Sequence, residues 1–356
     1  MYNIAVTKAT TLKQKPTDES KLGFGRIFTD HMLLINYDEG QGWHDARVVP
    51  YGDFSLDPAC MVLHYGQTIF EGSKCYRTPD GSMNLFRIRD NFERMNRSAT
   101  RMCMPNIDVD LCMAGLDTLL SLDKEWTPHS EGTALYIRPT MIATDPFLGV
   151  AAAQSYLFYV ILSPVGAYYA TGLSPVGIYV EDEYVRAVRG GVGFAKTAAN
   201  YAASILAGNV AKHKGYAQVL WLDGVEQKYI EEVGSMNMMF AFGNKIVTPM
   251  LNGSILPGIT RDSVLKLAAS MGYETEERHI SIDEVVEGAK SGKLTEAFGT
   301  GTAAVVSPVS KLSFKGQNYA IGDGSIGKLT QKMYDTLTGI QTGKIADTMG
   351  WITKVK

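Results

Sequence analysis

Hydrophobic and polar residues follow two different periods along this chain, and the two periods predict different elements. Residues 134–141 and 156–162 are short runs rich in aromatic and branched aliphatic residues, the pattern of buried strands. Between residues 90 and 102, apolar side chains recur every three or four positions, as on one face of an amphipathic helix. Strands and helices in separate runs favour an α+β or mixed α/β architecture over a doubly wound parallel sheet.

Turn and capping residues mark where these elements end. Thr78-Pro-Asp-Gly81 and Gly243-Asn244 predict hairpins, and Asp223-Gly224 predicts a two-residue type I′ hairpin turn. An Ala-rich helix is predicted from Thr197 to His213. Further helix starts are predicted from capping residues at Asp90 with Glu93, at Thr260, and at Ser281 with Glu284.

The segment from Thr144 to Ser155 separates two parts of the chain. It loses the periodicity of its neighbours and gathers proline, glycine and alanine, which is typical of a loop or linker. At 356 residues, the chain has the length of about two domains. We therefore predict an N-terminal domain at 1–145, an interdomain linker at 146–155 and a C-terminal domain at 156–356.

Composition and charge exclude several classes of protein. Apolar residues make up 45% of the chain and charged residues 20%, which is the composition of an ordinary globular protein. The formal net charge is −3 without blocks of like charge, so nothing favours binding to nucleic acid or to a membrane surface. The most apolar window, residues 156–162, is far shorter than the ~20 residues that span a bilayer.

The cysteine and histidine residues indicate the cellular compartment and whether a metal site is expected. The four cysteines form no CxxC pair, a pattern typical of reduced thiols. The six histidines show no HxxxH or HxH spacing, so no metal site is expected. Because the first residues also lack the apolar core of a signal peptide, we expect a cytoplasmic location.

The segment from Arg189 to Thr197 carries the first recognisable chemistry. Gly190, Lys196 and Thr197 match the GxxxxGK[ST] pattern of a phosphate-binding loop. However, Ala195 replaces the glycine before the lysine, and its Cβ would crowd the phosphate. The charged residues that precede the segment also disfavour the buried strand that such a loop follows, so nucleotide binding is the weaker interpretation.

The second interpretation treats Lys196 as a lone reactive amine that a glycine turn delivers to the start of a helix. The positive end of the helix dipole and partial desolvation would both disfavour the charged amine and lower its pKa. A neutral amine is the form that makes a Schiff base with a carbonyl carbon. Most single lysines are solvated surface residues, but the neighbouring glycines, the small residues 197–200 and Tyr201 favour the reactive role.

The lysine segment resembles that of a known family. Gly-Gly-x-Gly-x-x-Lys followed by Asn-Tyr, here Gly190 to Tyr201, is similar to the lysine segment of branched-chain amino acid aminotransferases, the class IV (fold type IV) pyridoxal-phosphate enzymes. Further segments resemble that family in the same order along the chain, namely Phe28-Thr-Asp-His-Met32, Gly42-Trp-His-Asp45, Leu63-His-Tyr-Gly-Gln67, Phe70-Glu-Gly72, Leu85-Phe-Arg87, Glu93-Arg-Met95, Tyr136-Ile-Arg-Pro139, Glu232-Val-Gly-Ser-Met-Asn237, Leu256-Pro-Gly-Ile-Thr-Arg261 and Phe298-Gly-Thr-Gly-Thr-Ala303. Each motif is weak alone, but the ordered set is specific.

The resemblance implies a fold and an activity. The fold would be that of a two-domain fold type IV enzyme, with a smaller N-terminal α/β domain and a larger C-terminal pseudo-barrel domain. The activity would be transfer of the amino group between L-leucine, L-isoleucine or L-valine and 2-oxoglutarate, with pyridoxal 5′-phosphate as cofactor. Active sites of the family lie at a homodimer interface, so a homodimer is expected.

The resemblance also assigns roles at the cofactor. Lys196 would hold pyridoxal phosphate as a Schiff base and then move the substrate α-proton. Glu232 would pair with the pyridine nitrogen, and Tyr201 would donate to the phenolate oxygen. The phosphate would be held by Arg94, by the Thr302 hydroxyl, and by the backbone amides of Ile259 and Thr260 at a helix N-terminus. Two more positions near the cofactor are matched by Arg186 and Ser235.

For the substrate, the resemblance places the α-carboxylate against the backbone amides of Thr302 and Ala303. The glycines of residues 299–303 would let these amides approach an anion closely. The surrounding residues would be Tyr136, Arg138, Phe70, Tyr65 and Val150, with Val150 and Tyr65 coming from a second subunit. Apolar pockets separate ligands that differ by one methylene by only about 1–3 kcal/mol, so all three aliphatic substrates should be accepted.

Other activities stay open at this point. D-amino acid aminotransferases and aminodeoxychorismate lyases share the fold and would share Lys196 and Glu232. The segments Gly42-Trp-His-Asp45 and Tyr136-Ile-Arg-Pro139 favour the branched-chain group. Without the resemblance, Glu232 would be interpreted as an exposed glutamate at a strand end, and Arg94 as part of a solvated basic helix face.

Overall fold

The computed structural model describes residues 2–166 and 173–356, and these residues fold into two compact units. Unit 1 comprises Met1–Ala170, Ala195–Ala198 and Gly339–Lys356, and unit 2 comprises Thr171–Phe194 and Ala199–Thr338. Four residues around Lys196 therefore belong to unit 1, although the chain on either side of them belongs to unit 2. Each unit is built around its own sheet.

The strands and helices of the described residues are numbered along the chain. The strands are β1 (Ala5–Val6), β2 (His31–Asp38), β3 (Gly42–Pro50), β4 (Thr68–Phe70), β5 (Ser73–Arg77), β6 (Met83–Phe86), β7 (Ala134–Ala143), β8 (Ser155–Val165), β9 (Val176–Glu181), β10 (Gln218–Leu222), β11 (Ile230–Val233), β12 (Met236–Phe242), β13 (Lys245–Pro249), β14 (Glu274–Arg278), β15 (Glu296–Gly301), β16 (Val305–Phe314), β17 (Gln317–Ala320) and β18 (Ile352–Lys354). The helices are α1 (Met61–Tyr65), α2 (Ile88–Arg101), α3 (Val109–Leu122), α4 (Ala198–Ala202), α5 (Ile205–His213), α6 (Ile259–Ser270), α7 (Ile282–Ser291) and α8 (Lys328–Gln341).

The sheet of unit 1 places β1, β3, β2, β8, β7, β5, β6 and β18 side by side, with β4 paired to β7. Its strands pair antiparallel, apart from the parallel pair of β1 and β3. The helices α2 and α3 contribute Phe92 and Leu116 to a core that also contains Ile137 of β7. Because side chains alternate along a strand, Tyr136 and Arg138 lie on the other face of β7 from this core residue.

The sheet of unit 2 closes into a barrel. Its strands follow the order β11, β10, β9, β16, β15 and β12, and β12 pairs again with β11 where Asn237 lies opposite Glu232. The strands β13 and β14 continue the sheet from β12, and β17 pairs with β16. Met238 and Phe240 of β12 are buried in one cluster with Val285 of α7. The prediction of a mixed architecture with a pseudo-barrel is confirmed.

The predicted domain boundary differs from the observed division. Residues 146–155 connect β7 to β8, which are antiparallel neighbours in the sheet of unit 1, with Ala143 opposite Tyr156. The predicted linker therefore lies inside unit 1, and unit 1 holds the larger share of the chain. Loss of periodicity marks an exposed loop, and a loop between paired strands has the same polar, Gly- and Pro-rich character as a linker between domains.

Two of the predicted hairpins are confirmed, and a third has a different loop. The strands β5 and β6 pair around residues 78–81, and β12 and β13 pair around Gly243-Asn244. The connection between β10 and β11 is not a two-residue turn at Asp223-Gly224 but spans residues 223–229. The Asp223 carboxylate accepts four hydrogen bonds from backbone N–H groups of this loop at 2.7–3.1 Å, which stabilises the wider turn.

Helix starts depend on contacts that residue type alone does not determine. The residue before α2 is Arg87, with φ of 50°, and Asp90 forms an ion pair with it at 2.5 Å instead of capping the helix. The N-cap of α6 is Gly258, so Thr260 lies in the first turn and is not the cap. Ser281 caps α7 as predicted, because its Oγ accepts the N–H three residues further on at 3.1 Å.

Three more observations bear on the predictions. The predicted helix at 197–213 is divided into α4 and α5. All four cysteines lie in the described part of the chain and are free thiols. Across residues 2–166 and 173–356, no helix combines the length and the apolar character needed to cross a bilayer.

Candidate active site

Lys196 has a backbone that is fixed within unit 1 by hydrogen bonds. Its N–H donates to Ser98 Oγ at 2.9 Å, and its carbonyl accepts the Phe70 N–H at 3.0 Å. The Thr197 hydroxyl donates to the Thr68 carbonyl at 2.7 Å, so the lysine segment lies beside β4 like a short added strand. The half-buried lysine side chain places Nζ 5.1 Å from the centre of the Phe70 ring.

Arg94 is buried on α2 and forms an ion pair with Glu71, the residue that follows β4. Arg94 Nε and Nη2 each donate to one carboxylate oxygen at 2.8 Å, and Asn91 Nδ2 donates to Glu71 Oε2 at 2.8 Å. Burial by itself raises the pKa of Glu71, but Arg94, Lys196 and Asn91 outweigh it, so this pKa lies below its ordinary value. Glu71 is therefore a charged carboxylate that holds the Arg94 fork in one orientation, whereas Arg97 is exposed.

The predicted substrate residues Phe70, Tyr136 and Arg138 form one cluster with Lys196 in unit 1. Arg138 Nη2 donates to the Tyr136 hydroxyl at 2.9 Å, and the guanidinium lies 4.8 Å from the centre of the Phe70 ring. Phe24 meets Tyr136 edge-on, with ring centres 4.9 Å apart. Aromatic faces next to a guanidinium and a hydroxyl suit a ligand that has both an apolar chain and a carboxylate.

Two other predicted pocket residues are exposed on unit 1. Tyr65, the last residue of α1, is 40% exposed, and its hydroxyl donates to the Leu148 carbonyl. Val150 is 89% exposed, and the neighbouring Phe147 and Leu148 are exposed as well. We name residues 147–150 the apolar loop, and the structure places Tyr65 and Val150 at this exposed loop.

Glu232 is buried on β11 of the barrel, so the interpretation as an exposed glutamate at a strand end is wrong. Its Oε1 accepts the Leu256 N–H at 2.7 Å and Asn237 Nδ2 at 3.4 Å. Its Oε2 lies 3.0 Å from Arg186 Nε, which makes the predicted Arg186 its ion-pair partner. The carboxylate is therefore oriented from two sides within unit 2.

The first turn of α6 supplies backbone amides next to the same network. Ile259 and Thr260 are buried in this turn. The first N–H groups of a helix have no carbonyl acceptor within the helix itself. A Cβ on Gly258 would lie 1.9 Å from Asn237 Oδ1, so only glycine permits this close approach. The N-terminus of a helix attracts anions, and here Asn237 connects it to Glu232.

Thr302 and Ala303 lie half-buried in the tight turn between β15 and β16. Gly299 is a strand residue, and a Cβ on it would come within 2.9 Å of Met236, so packing against Met236 by itself requires a glycine here. In the same strand, the buried Thr300 hydroxyl has no hydrogen-bond partner among the residues described. A ligand is one means by which such a buried polar atom becomes satisfied.

The other predicted residues of unit 2 are Tyr201 and Ser235. Tyr201 is half-buried on α4. Ser235 is exposed in the turn that joins β11 to β12, three residues after Glu232. Arg186, Asn237 and Leu256 contact the Glu232 carboxylate.

Residues 182–197 do not have the architecture of a phosphate-binding loop. Such a loop joins a buried strand directly to a helix, but here β9 ends at Glu181 and the described residues up to Lys196 are irregular. The helix that follows, α4, has only five residues. The nucleotide-binding interpretation therefore loses its structural basis.

Several residues that organise the site were not predicted, namely Glu71, Ser98, Asn237 and Leu256. Glu71 and Asn237 stand inside recognised motifs, so a charged or amide residue within such a motif is the signal that could have identified them. Ser98 acts through its hydroxyl, and Leu256 acts through its backbone N–H and carbonyl, on residues distant in sequence. Nothing in their residue types indicates those contacts.

Comparisons with known proteins agree with this geometry. The family model described as Amino-transferase class IV matches residues 68–312. Branched-chain-amino-acid aminotransferase 2 of Bacillus subtilis is 55% identical over 352 residues, which cover 99% of this chain and 97% of that protein. A probable branched-chain-amino-acid aminotransferase of Staphylococcus aureus is 54% identical, covering 98% of this chain and 97% of that protein. The branched-chain amino acid aminotransferase structure from Escherichia coli has a TM-score of 0.75 at 27% identity, covering 90% of this chain and 99% of that chain.

The family model shows that this chain is a class IV aminotransferase, a class of enzyme that uses pyridoxal phosphate, and the closed barrel, the anchored lysine and the buried carboxylate agree with that class. Within that class, this chain belongs to the branched-chain-amino-acid aminotransferases, because relatives at 54–55% identity match it over nearly its whole length. The comparisons do not favour the D-amino acid aminotransferase, the lyase or the nucleotide-binding interpretation.

The residues present fit pyridoxal phosphate. In unit 1, Lys196 offers an amine for the aldehyde and Arg94 a guanidinium for the phosphate. In unit 2, Glu232 offers a buried carboxylate for the pyridine nitrogen, and the first turn of α6 offers N–H groups for an anion. The unpartnered hydroxyl of Thr300, described above, is a further atom that a bound group can satisfy.

Proposed function

We propose that this chain transfers the amino group between L-leucine, L-isoleucine or L-valine and 2-oxoglutarate, giving the branched-chain 2-oxo acids and L-glutamate. Its family supports this reaction. The observation that carries the proposal is the position of Lys196. Its backbone N–H and carbonyl are hydrogen-bonded to Ser98 and Phe70, and its amine lies over the Phe70 ring. Proton transfer at one carbon atom requires an amine held within reach of that carbon, and a fixed backbone provides this.

Pyridoxal phosphate, when bound, supplies an electron sink for the negative charge that develops at the substrate α-carbon. Lys196 would hold it through Nζ and would then carry the proton between the substrate Cα and the cofactor C4′. Glu232 would keep the pyridine nitrogen protonated, and Arg186 would orient that carboxylate. Tyr201 would donate its hydroxyl to the phenolate oxygen, and the exposed Ser235 would contribute least.

The phosphate would be held by Arg94, by the Thr302 hydroxyl and by the backbone amides of Ile259 and Thr260. The orientation of the Arg94 guanidinium is set by Glu71. Hydrogen bonds from an ionised donor to phosphate are roughly twice as strong as those between neutral groups. Arg94 would therefore contribute more to cofactor affinity than Thr302.

The substrate would be recognised at both of its ends. Its α-carboxylate would lie against the backbone amides of Thr302 and Ala303, and its side chain against Phe70 and Tyr136. Arg138, held by the Tyr136 hydroxyl, would receive the second carboxylate of glutamate and 2-oxoglutarate. The apolar wall discriminates between aliphatic chains by only about 1–3 kcal/mol per methylene, so leucine, isoleucine and valine are all expected as substrates.

We infer that the active form is a homodimer in which a second copy covers the apolar loop. Phe147, Leu148 and Val150 are neighbouring exposed apolar residues, and contiguous apolar surface marks interaction sites. Val150 and Tyr65 of the second copy would then complete the substrate pocket. A light-scattering mass equal to one chain would contradict this arrangement. The four free thiols support a reducing, cytoplasmic location.

The absorption spectrum of the purified protein tests the proposed reaction. We expect a yellow protein whose visible band disappears on borohydride reduction, with the reduced adduct located on Lys196 by mass spectrometry. Lys196→Ala should remain folded by circular dichroism and lose leucine–2-oxoglutarate turnover. Lys212→Ala, which removes an exposed lysine of α5, should keep colour and turnover. A colourless wild-type protein, or turnover retained in Lys196→Ala, would contradict the proposal.

Product assays separate the other activities of this fold. Turnover confined to D-amino acids would identify a D-amino acid aminotransferase. Release of pyruvate from a chorismate derivative would identify a lyase. Either result, with no turnover of leucine, would replace the proposed substrates while leaving the role of Lys196 in place.

A further inference from the structure

Glu231 is a second buried carboxylate next to Glu232 on β11, and the proposed reaction has no role for it. Successive side chains of a strand point to opposite faces, so Glu231 lies on the other face from Glu232. Its Oε1 is hydrogen-bonded to Ser254 Oγ and accepts Asn252 Nδ2 at 3.3 Å. Its Oε2 is buried without a hydrogen-bond partner among the residues that the structure describes. Such burial of a carboxylate is costly and calls for an explanation.

Ser254 connects Glu231 to Arg186. The Ser254 carbonyl accepts Arg186 Nη2 at 2.6 Å, and the Gly193 carbonyl accepts the same nitrogen at 3.1 Å. A Cβ on Gly193 would lie 2.1 Å from the Ser254 carbonyl oxygen, so the segment that contains Gly193 packs directly against the segment that contains Ser254. The position of Ser254 therefore sets the position of the guanidinium, whose Nε lies 3.0 Å from Glu232 Oε2.

The segment that contains Ser254 also holds the other oxygen of Glu232. Leu256, two residues after Ser254, donates its N–H to Glu232 Oε1 at 2.7 Å, and its carbonyl accepts Asn237 Nδ2 at 2.9 Å. The Ser254 N–H donates to Asn252 Oδ1 at 3.0 Å, which holds the start of the segment. Residues 252–256 therefore contact the carboxylates of both neighbouring glutamates.

We propose that Glu231 is a positioning residue that fixes residues 252–256 and, through Ser254 and Arg186, holds Glu232 in the orientation that the cofactor nitrogen requires. The inference rests on the role proposed for Glu232. It assigns to the outer glutamate of β11 a function in cofactor binding without any contact with the cofactor. Displacement of Ser254 would move both Arg186 Nε and the Leu256 N–H away from the Glu232 carboxylate.

The hydrogen bonds around Ser254 are best satisfied when Glu231 is neutral. The Ser254 hydroxyl has one proton, but Glu231 Oε1 and Asn252 Oδ1 both lie within hydrogen-bond distance of its oxygen, the second at 2.7 Å. A protonated Glu231 can donate to Ser254 Oγ, whose own proton then bonds to Asn252. Burial raises the pKa of Glu231 above its ordinary value, in the direction that favours this form. A neutral Glu231 also leaves the charge of Arg186 to Glu232 alone.

The test compares Glu231→Ala with Glu231→Gln in the full-length protein. The cofactor-free proteins are titrated with pyridoxal phosphate, and the spectra of the loaded proteins are recorded. Glu231→Ala should bind the cofactor roughly tenfold more weakly, as expected when a hydrogen bond that orients a charged group is lost, and its spectrum should shift toward that of Glu232→Ala. Glu231→Gln, whose amide can donate to Ser254, should recover most of the affinity. Glu226→Ala, at an exposed glutamate of the preceding loop, is the control and should match the wild type.

Ser254→Ala keeps the inference testable if Glu231→Ala does not fold. Ser254→Ala should weaken cofactor binding in the same way. A double variant that combines it with Glu231→Gln should bind the cofactor no more weakly than Ser254→Ala alone, because both residues act along one path. A folded Glu231→Ala protein with an unchanged spectrum and an affinity within about twofold of the wild type would overturn the inference and leave the proposed function intact. A wild-type protein that does not bind pyridoxal phosphate would overturn both.

Discussion

Both units of the molecule contain a buried Arg–Glu ion pair, and the two pairs are built in opposite ways. In unit 1, Arg94 directs Nε and Nη2 to the two oxygens of Glu71, which Asn91 also binds. In unit 2, Arg186 approaches Glu232 with Nε at 3.0 Å, while its Nη2 bonds to backbone carbonyls. Asn91 therefore supports the carboxylate in unit 1, whereas backbone carbonyls anchor the arginine in unit 2.

The difference supports the proposal that Arg94 and Glu232 are the functional members of the two pairs. Glu71 is surrounded by donors of its own unit, so it serves to orient the positive charge of Arg94. Arg186 is held by the backbone, so it serves to orient the negative charge of Glu232. Buried ion pairs add little net stability because desolvation offsets their attraction, so their value here lies in orientation.

The largest expected effect comes from removing the charge of Glu232. Glu232→Gln keeps an acceptor for the Leu256 N–H but loses the negative charge for the pyridine nitrogen, so kcat should fall roughly 10³-fold. KM for leucine should change little, because the proposed substrate contacts lie elsewhere. Steady-state kinetics measure both quantities, with Glu226→Gln as the exposed control. A kcat within about tenfold of the wild type would mean that Glu232 is not the functional member of its pair.

A second effect, on stability and not on the rate of the reaction, is expected in the other pair. Glu71→Ala leaves the Arg94 guanidinium buried without its counter-ion, which should lower the free energy of unfolding by about 3–5 kcal/mol. Urea unfolding of the cofactor-free protein measures this loss. The control is Glu93→Ala, which removes an exposed glutamate of α2 next to Arg94. Equal stability of the two variants would show that Glu71 does not compensate the charge of Arg94.

The smallest expected effect is a pH dependence of stability. Burial acts to raise the pKa of Glu71, but Arg94 and Lys196 hold it below its ordinary value, so the ionised form stabilises the fold. This contribution is complete above about pH 4.5 and is lost as the pH falls through the folded-state pKa. The stability difference between the wild type and Glu71→Gln should therefore be constant from about pH 5 to 7 and shrink below that range. Thermal unfolding at a series of pH values measures it, and a difference that grows with acidity would contradict the assignment.

Local elements of the fold were predictable because their causes are local. The strands at 134–141 and 156–162 and the hairpin at Gly243-Asn244 depend on side-chain period and on turn residues, which the sequence contains directly. The predicted turn at Asp223-Gly224 was wrong because the Asp223 carboxylate binds the backbone of a wider loop. The predicted linker at 146–155 lies within unit 1 because strand pairing, which periodicity does not encode, places β8 beside β7.

The sequence could predict the reactive groups of the candidate site but not the residues that orient them. Lys196, Arg94 and Glu232 were identified from motif spacing and family resemblance. Glu71 and Glu231 were not, because their roles arise from contacts with Arg94 and Ser254, which are distant along the chain. Arg94, which could be interpreted as part of a solvated helix face, is buried because it contacts Glu71, a residue distant along the chain.

By itself, the sequence determined the family, the mixed architecture and the residue types available for chemistry, since ordered motifs and side-chain period are properties of the linear chain. Only the tertiary structure decided which carboxylates are buried, which cations face them and which backbone amides orient them. Burial and ion pairing depend on distances between residues far apart in sequence, and free energies of charged groups change steeply with those distances. The pKa shifts of Glu71, downward, and of Glu231, upward, are therefore consequences of the fold.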